Sequence, residues 1–171
     1  MGYKINYTGD GGGKTVAALG LALRAWGHGK RIVVIQFMKG RKDIGEFMAS
    51  KKFIGFPIYQ FGREGFVDLK NPDEKDKQLA KKALQFARDV LKERLDMLVL
   101  DEVNLAAHVG LIKAQDVVDI IKSAPEETII VLTGRYPPQE LIDVCDIVTK
   151  IEDLKTIPKE KRKGPKAGFE Y

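Results

Sequence analysis

The chain is poor in the residues that build disulfide frameworks and metal clusters: one cysteine, Cys145, and two histidines, His28 and His108, among 171 residues. A single thiol closes no intramolecular disulfide, and with two histidines it cannot furnish a Cys/His zinc centre. The same scarcity fits a reducing compartment, so a cytoplasmic protein is expected. No apolar run approaches the roughly 20 residues that span a bilayer, and membrane insertion is not expected. Met1-Gly2 is followed by Lys4, and Asn6 stands where a myristoylation signal requires Ser or Thr, so neither lipidation nor a signal segment is expected.

Acidic excess is also lacking. Lys and Arg number 29 against 24 Asp and Glu, a formal charge of +5 that would ordinarily suggest a polyanionic partner. The excess is local. Lys155, Lys159, Lys161, Arg162, Lys163 and Lys166 face only Glu160, so this stretch carries a net +5 and the rest of the chain is neutral. With 44% hydrophobic and 31% charged residues the composition is that of an ordinary globular protein. The length suits one domain, taken as residues 1–154, followed by a basic tail at 155–171.

Tyr3 to Thr8 reads as a strand that runs into Gly9-Asp10-Gly11-Gly12-Gly13. From Lys14, Val16, Leu19 and Leu23 recur at helical spacing until Gly27 and Gly29, which predicts a helix of about 13 residues. Arg31–Phe37 is a β-branched run of the kind buried in a parallel sheet, and Phe56–Phe61 a weaker strand that Pro57 confines to an edge or a start. Pro72 suits the first turn of a helix through Leu79, Ala83, Phe86, Val90 and Leu91, the longest expected. Asp96–Asp101, a helix near Gln115–Ser123, the strand Thr128–Thr133, a helix from Pro137-Pro138 to about Val144 and the strand Asp146–Ile151 complete the order. Alternating strands and helices predict βαβ units: an α/β fold with a mostly parallel sheet covered by helices on both faces.

Gly11-Gly12-Gly13-Lys14-Thr15 lies between a predicted strand and a predicted helix, the context a phosphate-binding loop requires. Glycines let backbone N–H groups converge on an anion, and the helix adds its N-terminal dipole. Thr8 to Thr15, through Gly9, Asp10, Gly11, Gly12 and Gly13, are therefore the expected ATP-binding residues, with Lys14 neutralising phosphate and the Thr15 hydroxyl on Mg2+. Thr8 stands where the general pattern has its first glycine, so the loop is a variant. The alternative is a plain strand-to-helix turn, which four glycines in five positions would weaken through backbone entropy. Leu98-Val99-Leu100 ends in Asp101-Glu102, a strand-end pair that reads alone either as a helix cap or as the acid at the Mg2+. Beside the loop, the metal is the better assignment for both carboxylates.

Further segments carry a resemblance. Tyr7 to Thr15 runs into Ala17–Ala25. Gly27-His28-Gly29-Lys30 is followed by Val34-Ile35-Gln36-Phe37-Met38-Lys39-Gly40, then Leu100-Asp101-Glu102, Leu132-Thr133-Gly134-Arg135 and Ala167–Tyr171. In this order they resemble the P-loop ATP:corrinoid adenosyltransferases, along nearly the whole chain. The resemblance implies a P-loop NTPase fold of the RecA-like kind. It implies transfer of the adenosyl group of MgATP to the Co(I) centre of a corrinoid, with release of triphosphate. It further implies Thr15 and Glu102 at the metal, Arg24 and Arg135 as contacts to ATP, Phe66 against the lower corrin face, and catalysis through Lys14, Glu102 and Phe66. A flavoprotein or other reductase as electron donor, a homodimer, and a C-terminal segment folded over the site are implied as well. Two departures stand out. The family's loop usually reads Gly-Lys-Gly-Lys-Thr-Thr, whereas Gly12 and Val16 replace the first lysine and the second threonine; Gly-Phe-Thr-Trp becomes Gly65-Phe66-Val67-Asp68.

Among the residues without a role, the loop histidine His28 reads as solvated or capping, His108 as structural, and Trp26 and Phe37 as core aromatics. The tail alone would suit nucleic acid, yet no aromatic interleaves its cations and no nucleic-acid motif accompanies them, so nucleic acid is not the expected partner. Two other functions fit the loop: an ATP-hydrolysing or kinase-like protein, and a nucleotide-gated module that holds RNA or a partner through its tail.

Overall fold

A computed structural model describes residues 1–65, 67–157, 160, 164 and 166–168. The expectations for Phe66, for most of the basic cluster and for the terminal Phe169-Glu170-Tyr171 lie outside the described residues. The elements are β1 (Lys4–Thr8), α1 (Lys14–Gly27), β2 (Ile32–Phe37), α2 (Gly45–Ser50), β3 (Ile58–Phe61) and α3 (Glu74–Lys92). Then follow β4 (Met97–Asp101), α4 (Val103–His108), α5 (Ala114–Ser123), β5 (Ile129–Thr133), α6 (Gln139–Asp143) and β6 (Ile147–Lys150).

The strands lie in the order β3-β2-β4-β5-β1-β6, and every described pairing is parallel, so the sheet goes further than the mostly parallel expectation. Alternate residues of the central strands feed two cores. Ile35, Leu98, Leu100, Ile130 and Leu132 pack under α3, α4, α5 and α6, together with Leu84, Val103, Val117 and Leu141. Val34, Val99 and Val131 face the other way, against Ala18 and Ala22 of α1. Both alanines are fully buried, and their small side chains let α1 lie close on the sheet above the loop that starts it.

Burial on both faces explains why the strands are continuous apolar runs. Pro57 does confine its strand to an edge, where β3 pairs only with β2. The longest helix, α3, begins at Asp73, whose carboxylate accepts the Asp76 N–H at 2.9 Å. Two helices were not expected from sequence. α2 and α4 have six residues each, too few for a period to show, and neither has a capping side chain.

In an open parallel sheet the ligand side is the carboxyl end of the strands. Here the turns after β1, β2, β4 and β5 present Gly9–Lys14, Met38–Gly40, Glu102 and Gly134–Arg135 at that end.

Candidate nucleotide site

After β1 the chain turns through Gly9, with φ 102°, and Gly13, with φ 96°, and enters α1 at Lys14. Gly13 caps the helix in the left-handed region, which glycine takes with little strain, and its carbonyl accepts the Ala17 N–H at 2.8 Å. Gly9 and Gly11 answer to packing as well. A Cβ on Gly9 would lie 2.2 Å from the Ile151 carbonyl oxygen, and one on Gly11 2.8 Å from the Glu152 carbonyl carbon. The segment after β6 therefore lies directly on the loop. Gly11 N–H donates to the Ile151 carbonyl at 3.0 Å, and Gly12 N–H to Asp153 Oδ1 at 3.1 Å. At Gly12 a Cβ would meet nothing within 4 Å. Gly9→Ala is expected to lower stability by about 1–3 kcal/mol and Gly12→Ala by under about 0.5 kcal/mol. Thermal melts of the two variants check the contrast.

Lys14 is buried, and its ammonium folds back to donate to the Gly11 carbonyl at 2.6 Å. Burial, and then the nearby Arg135 guanidinium, push its pKa below the ordinary lysine value. The exposed Arg135 reaches the loop from β5, its Nη2 donating to the Asp10 carbonyl at 3.4 Å. Lys14 and Arg135 thus place two cations beside a loop whose Gly11 and Gly12 N–H groups are held by Ile151 and Asp153.

Across the sheet end stands Asp101, the last residue of β4 and fully buried. Its Oδ1 accepts from the Thr15 hydroxyl at 2.8 Å and the Thr133 hydroxyl at 2.7 Å, and its Oδ2 from Lys39 Nζ at 2.8 Å and Gln36 Nε2 at 3.1 Å. Four donors match the roughly four lone-pair sites of an ionised carboxylate. Burial alone would raise this carboxyl, but Lys39 and the two hydroxyls outweigh burial and hold it below the usual range. Asp101, expected at the metal itself, thus stands behind Thr15 and accepts its O–H hydrogen bond, while the hydroxyl oxygen in turn lies 3.4 Å from Lys39 Nζ and keeps one further lone pair.

Glu102 differs in every respect. Its backbone takes φ 62°, a left-handed conformation that costs a non-glycine residue about 1–3 kcal/mol. The Thr133 hydroxyl accepts its N–H at 2.9 Å. A reciprocal amide pair supports this corner: Asn104 Nδ2 donates to Asn6 Oδ1 at 2.7 Å and to the Gly134 carbonyl at 3.0 Å. Among the described residues the Glu102 carboxylate accepts no hydrogen bond. Burial, and then Asp101 beside it, raise its pKa, with Lys39, Lys14 and Arg135 offsetting them in part. Its charge is offset only through space, by cations that donate it no hydrogen bond among the described residues.

The structure thus brings Thr8–Thr15, Asp101, Glu102 and Arg135 to one place. Arg24 is not brought there; it is exposed in the last turn of α1, about 15 Å along the axis from Lys14 at 1.5 Å per residue, where it complements the helix dipole. Trp26, partly buried, stacks on Phe53 at the edge of one core, and Phe37 is fully buried within the other. Sequence reasoning gave no role to Gln36, Lys39, Thr133 or Asp153. Gln36 left a signal, an amide inside an otherwise apolar strand, and the register sets it opposite Asp101.

Comparison with known proteins gives one answer. The family described as ATP:corrinoid adenosyltransferase BtuR/CobO/CobP matches residues 1–171. A corrinoid adenosyltransferase of Sinorhizobium sp is 37% identical over 158 residues, covering 90% of this chain and 73% of that protein. Those of Escherichia coli K12 and Pseudomonas aeruginosa PAO1 are each 31% identical, over 90% and 99% of this chain and 78% and 84% of their own lengths. Among solved structures, the flagellar accessory protein FlaH from Methanocaldococcus jannaschii superposes with a TM-score of 0.55 at 12% identity, over 86% of this chain and 70% of that one, a likeness of fold alone.

Proposed function

The chain belongs to the ATP:corrinoid adenosyltransferase family, and from that premise we propose that it transfers the adenosyl group of ATP to the Co(I) centre of a corrinoid and releases triphosphate. In this reaction the electron pair of the reduced cobalt attacks the ribose C5′, the C5′–O bond breaks, and triphosphate leaves with its bonding pair. The substrate supplies the nucleophile, so the protein has to hold ATP and stabilise charge on the leaving group. The observation that carries the proposal is the glycine loop between β1 and α1, with the buried Lys14 ammonium folded over it and Arg135 beside it.

The residues opposite the loop fit a divalent cation. Thr15 donates its O–H to Asp101 and, with Lys39 at 3.4 Å, keeps one lone pair, and the Glu102 carboxylate accepts no hydrogen bond among the described residues. Thr15 and Glu102 would hold Mg2+, with Asp101 orienting Thr15. An ion held there would be bound through these few side chains and the phosphates of its nucleotide. Bound there, Mg2+ would supply charge neutralisation for the leaving triphosphate.

The proposal extends to Phe66 against the corrin, to reduction of the corrinoid by a flavoprotein or other reductase, to a homodimer and to a cytoplasmic setting. No described helix is long and apolar enough to cross a membrane. The tail 155–171 would bring its cations to the site, since residues 151–153 just before it lie on the loop. A Phe66→Ala variant is expected to slow adenosylation from Co(II) corrinoid; a full rate would remove Phe66 from the mechanism. The decisive experiment mixes the protein with MgATP and chemically reduced cobalamin. Appearance of the Co–C bond in the visible spectrum together with triphosphate supports the proposal, whereas ADP and phosphate without a Co–C bond would leave an ordinary ATPase.

A further inference from the structure

Resting on the phosphate-site reading above, we propose that Lys39 is a second lysine of the triphosphate site, binding the phosphate chain on the side of Thr15 away from the glycine loop. Lys39 lies two residues beyond β2, and its ammonium crosses the sheet end to Asp101 Oδ2 at 2.8 Å and Thr15 Oγ1 at 3.4 Å. Glu46 of α2 stands 3.7 Å away. Of the three N–H groups of an ammonium, two are directed at Asp101 and Thr15, and the side chain remains a quarter exposed while Asp101 is sealed. A lysine needed only to neutralise Asp101 would be buried with it. This one keeps an exposed side next to the hydroxyl in the first turn of α1.

The backbone fixes that position from both sides. Met38 has φ 58°, a left-handed conformation that a methionine takes only where its surroundings impose it. A Cβ on Gly40 would lie 2.4 Å from the Gly62 carbonyl oxygen, and one on Gly62 2.2 Å from the Met38 carbonyl carbon. The turn that aims Lys39 across the sheet is therefore wedged against the turn after β3. Lys39 also stands within hydrogen-bond distance of Thr15, at 3.4 Å. No steric reason keeps a lysine from position 12, where a Cβ meets nothing within 4 Å.

The test titrates inorganic tripolyphosphate into the protein in the presence of a chelator, so that no divalent cation takes part. Lys39→Met is expected to weaken binding about ten- to a hundredfold, the usual worth of one charge-assisted hydrogen bond. Lys39→Arg should retain most of the affinity, and Gly12→Lys added to Lys39→Met should recover part of it. Lys14→Ala is titrated in parallel. If Lys14→Ala loses tripolyphosphate and a folded Lys39→Met does not, the Lys39 assignment is overturned and the loop stands. If Lys14→Ala also keeps its affinity, or the unmodified protein does not bind, the phosphate-site reading itself fails. Should Lys39→Met not fold, because Asp101 is left as a lone buried charge, the pair Lys39→Met/Asp101→Asn removes both charges and carries the same titration, with its thermal midpoint measured first.

Discussion

Lys14→Ala is expected to reduce kcat/KM for adenosyl transfer at least about a hundredfold, the scale seen when one preorganised donor to a developing anion is removed. MgATP affinity by calorimetry should fall with it, while the thermal midpoint stays nearly unchanged. The two signs differ for a physical reason. In the free protein the Lys14 ammonium is buried, bonded to one backbone carbonyl and close to Arg135, and its lowered pKa means that the fold disfavours its charge. A lysine kept in such a place contributes little to folding and much to an anion that brings compensating charge. MgATP binding as tight as in the unmodified protein would refute the phosphate-cradle assignment, whatever happened to the rate.

That site was visible in the sequence to the extent that it is local. A glycine-rich loop between a strand and a helix, and a strand ending in two carboxylates, are each written within about ten residues, and burial of the sheet on both faces makes its strands easy to recognise. What the sequence could not show depends on register and on crossings between distant segments. Asp101 meets Gln36 because β2 and β4 align those two positions, and it meets Thr133 because that residue ends β5, the next strand. The division of labour between two adjacent acids follows from this. Asp101 is saturated by four donors and Glu102 by none, a difference that no spacing rule predicts. The approach of residues 151–153 to Gly11 and Gly12 is equally long-range, and explains why Gly9 and Gly11 have no room for a side chain while Gly12 does. Arg24 illustrates the converse: a residue given a role by resemblance alone, which the length of α1 carries away from the glycine loop of its own chain.

Glu102→Gln is the second large effect, again with opposite signs for activity and stability. Adenosyl transfer should fall about a hundredfold or more, because a neutral amide cannot replace the carboxylate proposed for Mg2+. In the absence of ligand the variant should melt higher than the unmodified protein, by roughly 2–4 °C for each kcal/mol of relieved charge burial in a chain of this size. Burial and the neighbouring Asp101 raise the Glu102 pKa above its unfolded value, so the fold favours the protonated form. The stability this lends is fully present below the ordinary glutamate range and is lost as pH rises through the raised value. The gap between variant and unmodified protein should therefore open as pH increases towards neutrality and close in acid. MgATP should reverse the order at neutral pH, since a ligand bound only by the native state raises its melting point by mass action and the variant has lost part of that binding. A Glu102→Gln protein that melts below the unmodified one without ligand, or gains as much from MgATP, would show that this carboxylate is held for the fold and not for the cation.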